Sequence, residues 1–151
     1  MTSAKIPIYS AATGKIELVS PVVKTDAEWR SILPPKTFEV ARGKGTEAAF
    51  TGAYYQTHDD GVYQCACCGT DLFDAKDKFE SGTGWPSFSS PIAKENVRNA
   101  EDRSYGMLRV EVLCARCGAH LGHVFDDGPA PTHKRYCMNS ASLSLVKRKI
   151  S

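Results

Sequence analysis

What this 151-residue chain lacks narrows its function before any motif is read. It has no apolar run of membrane-spanning length, so no transmembrane segment is expected. It has little charge of one sign in excess: 19 Lys and Arg against 17 Asp and Glu leave a net charge of +2, with both signs interspersed. That gives no electrostatic footprint for nucleic acid. The one basic run, Lys147-Arg148-Lys149, reads as a solvated tail. The start, Met1-Thr2-Ser3-Ala4-Lys5-Ile6-Pro7, lacks the apolar core of a signal peptide. There is no low-complexity segment. A hydrophobic content of 42% is enough for one domain to build its own core, so a framework of disulfides is not needed.

Against these absences stand six cysteines. Four form two Cys-x-x-Cys pairs far apart in the chain, Cys65/Cys68 and Cys114/Cys117, each followed directly by a glycine (Gly69 and Gly118). Glycine there permits a tight turn of positive φ, which lets backbone N–H groups face the sulfurs. Two such knuckles facing each other supply the four thiolates of a closed, structural zinc site. Four reduced core cysteines, or a redox dithiol, are the competing readings. The gap between the pairs is longer than in a compact zinc ribbon, so the metal is expected to clip distant parts of a larger sheet. Cys67 sits inside the first pair, and Cys137 stands alone. Reduced, metal-bound cysteines point to the cytoplasm.

The chain between the motifs reads mainly as β. Residues 1–22 form an extension: Ile6–Tyr9 and Lys15–Val19 read as two short strands joined through Thr13-Gly14, or equally as a mobile arm. Residues 23–148 form the domain proper. Thr25 with Glu28 makes a capping box that opens a short helix, with Trp29, Ile32 and Leu33 on one apolar face, ended by Pro34-Pro35. Thr37-Phe38-Glu39-Val40 alternates like a strand. Further strands are expected at Gly61–Cys65, Leu72-Phe73, Met107–Cys114, His120–Phe125 and Ala141–Val146. The predicted fold class is mainly β: two antiparallel sheets, a short N-terminal helical cap and a Cys₄ zinc.

Cys137 lies in Arg135-Tyr136-Cys137-Met138-Asn139-Ser140, with Arg135 on the same side of an extended segment. A guanidinium there favours the thiolate. His120 and His123 bring imidazoles that transfer protons near neutral pH, and Asn139 offers an amide donor. Each has a bland alternative: a core cysteine, a pair of surface histidines. Gly82-Thr83-Gly84-Trp85-Pro86-Ser87-Phe88 is a rigid loop that either presents an indole to a small apolar group or packs it on the core.

Taken together, these segments resemble the type B methionine-(R)-sulfoxide reductases. The likeness rests on Thr46-Glu47, Phe50-Thr51-Gly52, Gly61–Cys65 with Cys68, Leu72-Phe73, Ser81–Phe88, Cys114–Phe125 and Arg135–Ser140. It covers about residues 25–147. The resemblance implies a zinc held by Cys65, Cys68, Cys114 and Cys117 away from the active site. It implies Cys137 as nucleophile, Trp85 as the seat of the substrate methyl, His120, His123, Arg135 and Asn139 lining the site, and Phe88 and Asp127 on the substrate side. It implies reduction of the R epimer of methionine sulfoxide, in oxidised proteins or peptides, through a Cys137 sulfenic acid recycled by thioredoxin or another thiol.

One departure stands out. Many relatives carry a resolving cysteine two residues before the tryptophan, where this chain has Thr83. Either Cys67 resolves the sulfenic acid or an external thiol reduces it directly. The protein is expected to act as a monomer. The alternatives are a non-catalytic zinc-binding interaction module, which leaves Cys137 and Trp85 unexplained, and a thiol–disulfide oxidoreductase.

Overall fold

The computed structural model describes residues 4–103 and 106–147, so Met1–Ser3, and Arg148 and Lys149 of the basic run, lie outside the described residues. Strands β1 (Ile6–Ser10) and β2 (Lys15–Val19) form an antiparallel hairpin turned at Gly14, φ +69°. Of the two readings of this segment, the ordered one holds. The Asn96 side chain accepts from Tyr9 N (2.8 Å) and donates to Tyr9 O (2.9 Å), and Ile8 is buried.

Helix α1 (Asp26–Ile32) carries the expected capping box: Thr25 Oγ1 accepts from Glu28 N (3.2 Å) and Glu28 Oε1 from Thr25 N (3.0 Å). The predicted apolar face is narrower than its spacing suggests. Trp29 is 1% exposed, whereas Ile32 is 58% exposed. The strand expected at Thr37–Val40 is instead helical. Pro35 starts a single turn, α2 (Pro35–Thr37), that runs on into a π-turn at Phe38–Arg42. The cause is local: proline at the first helical position presets φ and needs no N–H partner. Val40 and Ala41, adjacent in sequence, are both buried in this turn.

The strands are β3 (Gly61–Cys65), β4 (Asp71–Asp74), β5 (Lys78–Phe79), β6 (Ser87–Phe88), β7 (Val97–Asp102), β8 (Arg109–Cys114), β9 (His120–Phe125), β10 (Arg135–Met138) and β11 (Leu143–Lys147). They make a six-stranded sheet in the order β5-β6-β10-β9-β8-β7 and a three-stranded sheet in the order β11-β3-β4, every pair antiparallel. With the separate hairpin, the mainly antiparallel β architecture with a short helical cap is the one the sequence indicates. Aromatic rings from both sheets make the core between them. Phe88 stacks on Phe73 at 4.5 Å between centroids, and Tyr63 meets Phe88 edge-on at 5.1 Å. Among the described residues, no helix is long and apolar enough to cross a membrane.

Candidate active site and metal centre

The turn joining β3 to β4 carries Cys65–Gly69, and the turn joining β8 to β9 carries Cys114–Gly118. The two are built alike. Gly69 N donates to Cys65 O (2.9 Å) and Gly118 N to Cys114 O (2.8 Å), with φ of +80° and +76°. The Sγ atoms of Cys65, Cys68, Cys114 and Cys117 lie within 4.8 Å of one another. The pairs Cys65–Cys117 and Cys68–Cys114 are each 3.6 Å apart. A tetrahedral zinc with Zn–S bonds of about 2.3 Å needs sulfurs about 3.8 Å apart, so these four positions fit it. Hydrogen bonds from the neighbouring thiols, Cys114 first, hold Cys117 far below an ordinary thiol, while the same crowding pushes Cys114 up. Arg42 adds a cation. Its Nη1 is 3.4 Å from Cys117 Sγ, its Nη2 donates to Cys117 O (3.0 Å), and its guanidinium lies over the Trp29 ring at 4.5 Å. Cys67 belongs to this cluster as well. It interacts with Cys117, Cys65 and Arg42, and its thiol is raised to about 11, first by its hydrogen bond to Cys117.

A second site opens to solvent on the six-stranded sheet, a pocket of about 230 Å³ lined by Thr46, Thr83, Trp85, Arg109, Gly122, His123, Phe125, Arg135, Cys137 and Asn139. Register builds it. Cys137 on β10 faces His123 on β9, and Ser87 on β6 faces Cys137 from the other side. Directly paired residues project to the same face, so thiol and imidazole share it. Strand β9 approaches β10 so closely that a Cβ on Gly122 would lie 2.1 Å from Cys137 O. Only glycine allows that approach.

The histidines are three apart, and strict alternation would send them to opposite faces. A bulge prevents this. The register shifts between Val112 and Leu113, so that Val112 pairs with Gly122 and Leu113 with His120. The extra residue, Leu121, returns His120 to the face of His123, and their rings lie 5.5 Å apart. Each imidazole then meets a carboxylate from the neighbouring strands: His120 Nδ1 with Glu111 Oε2 at 2.6 Å, and His123 Nε2 with Asp102 Oδ2 at 2.7 Å. His120 is 4% exposed and does not reach the Cys137 pocket. Burial lowers its pKa despite Glu111, which keeps it neutral.

The Trp85 loop is pinned from behind. Trp85 Nε1 donates to Glu47 O (3.0 Å), Phe50 N donates to Gly84 O (2.8 Å), and a Cβ on Gly84 would lie 2.7 Å from Phe50 N. The indole is therefore a fixed wall of the pocket. Asn139 is held equally firmly: Oδ1 accepts from Glu47 N (3.1 Å) and Nδ2 donates to Leu121 O (3.2 Å). Its second amide N–H is not used by either bond. Phe88, placed on the substrate side by the sequence reading, is 0% exposed and stacks in the core behind the pocket. Asp127 does not line the pocket either. It grips Arg135 through Oδ1–Nε at 2.9 Å and Oδ2–Nη2 at 3.2 Å, and so fixes the guanidinium beside Cys137.

At Cys137 two effects compete. Burial pushes its thiol above the ordinary value, and this outweighs the opposing pull of Arg135 and of the Thr83 hydroxyl. The resting sulfur is thus mainly a protonated thiol at neutral pH, and its thiolate fraction rises with pH. Alkylation of Cys137 by iodoacetamide, followed against pH by peptide mass spectrometry, is expected to reach half its maximal rate above the pH of a free cysteine. Arg135→Met is expected to move that midpoint higher still, because one of the two stabilising partners is gone. A midpoint at or below that of a free thiol would contradict this balance.

Sequence reasoning missed Glu47, Glu111 and Asp102. Glu47 ties three parts of the site together: its carbonyl holds Trp85, its N–H holds Asn139, and its buried Oε1 accepts from Ala141 N at 2.9 Å. Only the Thr46-Glu47 motif hinted at it. Glu111 was legible as an acidic position in the alternating strand Met107–Cys114. Asp102 carried no signal, since it lies 21 residues from its histidine.

Comparison with known proteins agrees with this geometry. A family model described as the SelR domain matches residues 33–147, leaving the β1–β2 hairpin outside it. A protein named peptide methionine sulfoxide reductase MsrB from Methanosarcina barkeri is 57% identical over 124 residues, 82% of this chain and 87% of its own. Proteins of the same name from Hahella chejuensis and Pseudomonas fluorescens are 57% and 58% identical, covering 81% and 83% of this chain and 88% and 96% of their own. By its SelR domain and by these relatives, the chain belongs to the MsrB family of peptide methionine sulfoxide reductases.

Proposed function

We propose that this protein repairs oxidised proteins by reducing the R epimer of methionine sulfoxide, with Cys137 as nucleophile and His123 as proton donor. The observation that carries the reading is the direct pairing of Cys137 with His123 in a pocket walled by Trp85. Sulfoxide sulfur is electrophilic, and its oxygen leaves only when it receives a proton. The Cys137 thiolate forms a bond to that sulfur while His123 protonates the oxygen. In that adduct the hydroxyl passes to Cys137 Sγ as both the S–O bond and the new S–S bond break, so the thioether departs with two electrons gained and Cys137 is left as a sulfenic acid. Asn139 has an amide N–H for the same oxygen. Arg135 stabilises the thiolate at the start of the cycle. Neutral, buried His120 supports the sheet beneath His123 and hands over no proton.

Stereochemistry follows from three fixed points. The methyl lies against Trp85, the oxygen faces His123 and Asn139, and the sulfur faces Cys137. Only one arrangement of methyl, oxygen and side chain around the sulfur meets all three and still lets the peptide leave through the mouth of the pocket. The resemblance that supports the family also supports the R epimer.

Recycling is proposed to use an external thiol. Thr83 contacts Cys137 where a resolving sulfur would stand, and Cys67 is packed with Cys65, Cys117 and Arg42. Thioredoxin or a small thiol then attacks the sulfenic acid, releases water and leaves a mixed disulfide that a second thiol clears. The Cys₄ cluster is proposed to hold one structural zinc, since four thiolates leave no open coordination position. Reduced thiolates of this kind suit the cytoplasm. Residues 23–148 are proposed as the catalytic domain, with 1–22 an N-terminal extension.

The test is turnover of the separated R and S epimers of a peptide methionine sulfoxide, with dithiothreitol and with thioredoxin plus its reductase. R-only turnover is expected with dithiothreitol, and protein oxidised by one turnover without reductant should give no Cys67–Cys137 disulfide peptide by mass spectrometry. Such a peptide would return Cys67 to the resolving role. No turnover of either epimer by reduced, metal-loaded protein would leave a zinc-binding module.

A further inference from the structure

We propose that Asp102 is the positioning residue of the reaction, fixing which nitrogen of His123 delivers the proton. The proposal rests on the reading of His123 as the proton donor and deepens it. Asp102 is the last residue of β7, and it pairs with Arg109 at the start of β8. From there its Oδ2 reaches across to His123 Nε2 at 2.7 Å, while Arg109 Nη2 stands 3.4 Å from the same oxygen. The carboxylate is thus held from one side by a cation and presented to the imidazole on the other. Its side chain is 20% exposed and that of His123 13%, so the pair is largely shielded from water and its geometry is fixed by the sheet.

The direction of that hydrogen bond decides the chemistry. His123 and Arg109 line the Cys137 pocket, and Asp102 does not. Nε2 is therefore engaged outside the pocket, which leaves Nδ1 as the nitrogen that serves it. A carboxylate accepts and cannot donate, so it selects the tautomer with the proton on Nε2. In the imidazolium both nitrogens carry protons. Nδ1–H goes to the sulfoxide oxygen, and the neutral ring that remains keeps Nε2–H bonded to Asp102. Asp102 neither gains nor loses a proton and never touches substrate. It prevents the ring from flipping and keeps Nδ1 turned to the pocket. The neighbouring pair differs in this respect: His120 uses Nδ1 towards Glu111 and stays outside the pocket.

The experiment combines kinetics with tautomer assignment on the metal-loaded protein. In the wild type, ¹⁵N–¹H correlation spectra are expected to show His123 with its proton on Nε2. Asp102→Ala should lose that signature and lower kcat for a peptide methionine-(R)-sulfoxide by about 10- to 100-fold, with KM changed less than about threefold. Asp102→Asn guards against a variant that fails to fold. Its side chain has the same shape and its oxygen still accepts from Nε2–H, so it should keep the tautomer yet lose rate through loss of charge, and Asp102→Glu should restore part of that rate. A kcat within twofold of wild type in both the Ala and Asn variants would overturn the proposal. So would a raised KM at unchanged kcat, which would make Asp102 a substrate contact, or a kcat loss in Asp102→Ala with the Nε2–H signature intact. Failure of the wild type itself to turn over sulfoxide would instead sink the proposed function on which this rests.

Discussion

Cys137→Ser is expected to lower turnover of methionine sulfoxide by on the order of 10³-fold or more while leaving the fold and the metal site unchanged. Serine fills nearly the same volume, so packing between Ser87 and His123 on the flanking strands survives. What changes is the nucleophile. A hydroxyl in a site that already pushes a thiol upward by burial ionises far less readily than sulfur, and Arg135 cannot make up that difference. Oxygen also cannot take up the sulfoxide oxygen as a stable, thiol-reducible product. Substrate binding should persist, and the chain offers a probe for it. Of its two tryptophans, Trp29 is 1% exposed beneath Arg42, whereas Trp85 lines the pocket. A change in fluorescence on adding sulfoxide to Cys137→Ser therefore reports occupancy of the site, and a single-turnover assay reports the missing chemistry. Retention of even a tenth of the wild-type rate would remove Cys137 from the nucleophilic role.

The parts of this site that were legible in the sequence are those whose chemistry is local. A Cys-x-x-Cys-Gly knuckle specifies its own turn, so both halves of the metal cluster could be read without knowing how they meet. The Thr25–Glu28 capping box and the strands Gly61–Cys65 and His120–Phe125 were likewise written in short windows. What escaped depends on register. That His120 and His123 share a face follows from one bulge between β8 and β9, and no periodicity in the sequence announces an extra residue in a ladder. Asp102 becomes a partner of His123 only because β7, β8 and β9 lie side by side. Phe88 shows the reverse error: its place in a functional loop suggested the pocket, but alternation from Ser87 on β6 turns it into the aromatic core. The segment Thr37–Val40 was misread because four residues cannot separate a strand's period from a helix's, and Pro35 decided the matter.

Removing the metal should cost as much stability as a severe core substitution, and the topology explains why. Cys65 and Cys68 lie on the β3–β4 turn of the three-stranded sheet, and Cys114 and Cys117 on the β8–β9 turn of the six-stranded sheet. A zinc bound by all four ties the two sheets together at one end, and its binding energy is folding energy because the unfolded chain holds no such site. Zinc-finger peptides gain about 10–16 kcal/mol this way, comparable with the entire stability of a domain, about 5–15 kcal/mol. If only about 4 kcal/mol of that is realised here, a domain of this size, at about 2–4 °C per kcal/mol, loses on the order of 10 °C in Tm. Cys114→Ser, which removes a fully buried ligand, is therefore expected to bind less than one metal per chain and to melt at least about 10 °C below wild type. Cys67→Ser should keep both metal and Tm. The same comparison locates the metal's role. Only Gly118 and Ala119 separate Cys117 from His120, so disorder spreading from the knuckle reaches the histidines, and a structural metal would affect the reaction only through that disorder. Below the lowered Tm, folded Cys114→Ser should then still reduce sulfoxide at a rate within about tenfold of wild type. Complete loss of activity in protein whose near-ultraviolet circular dichroism remains native would mean that the cluster acts on the chemistry and not only on the fold.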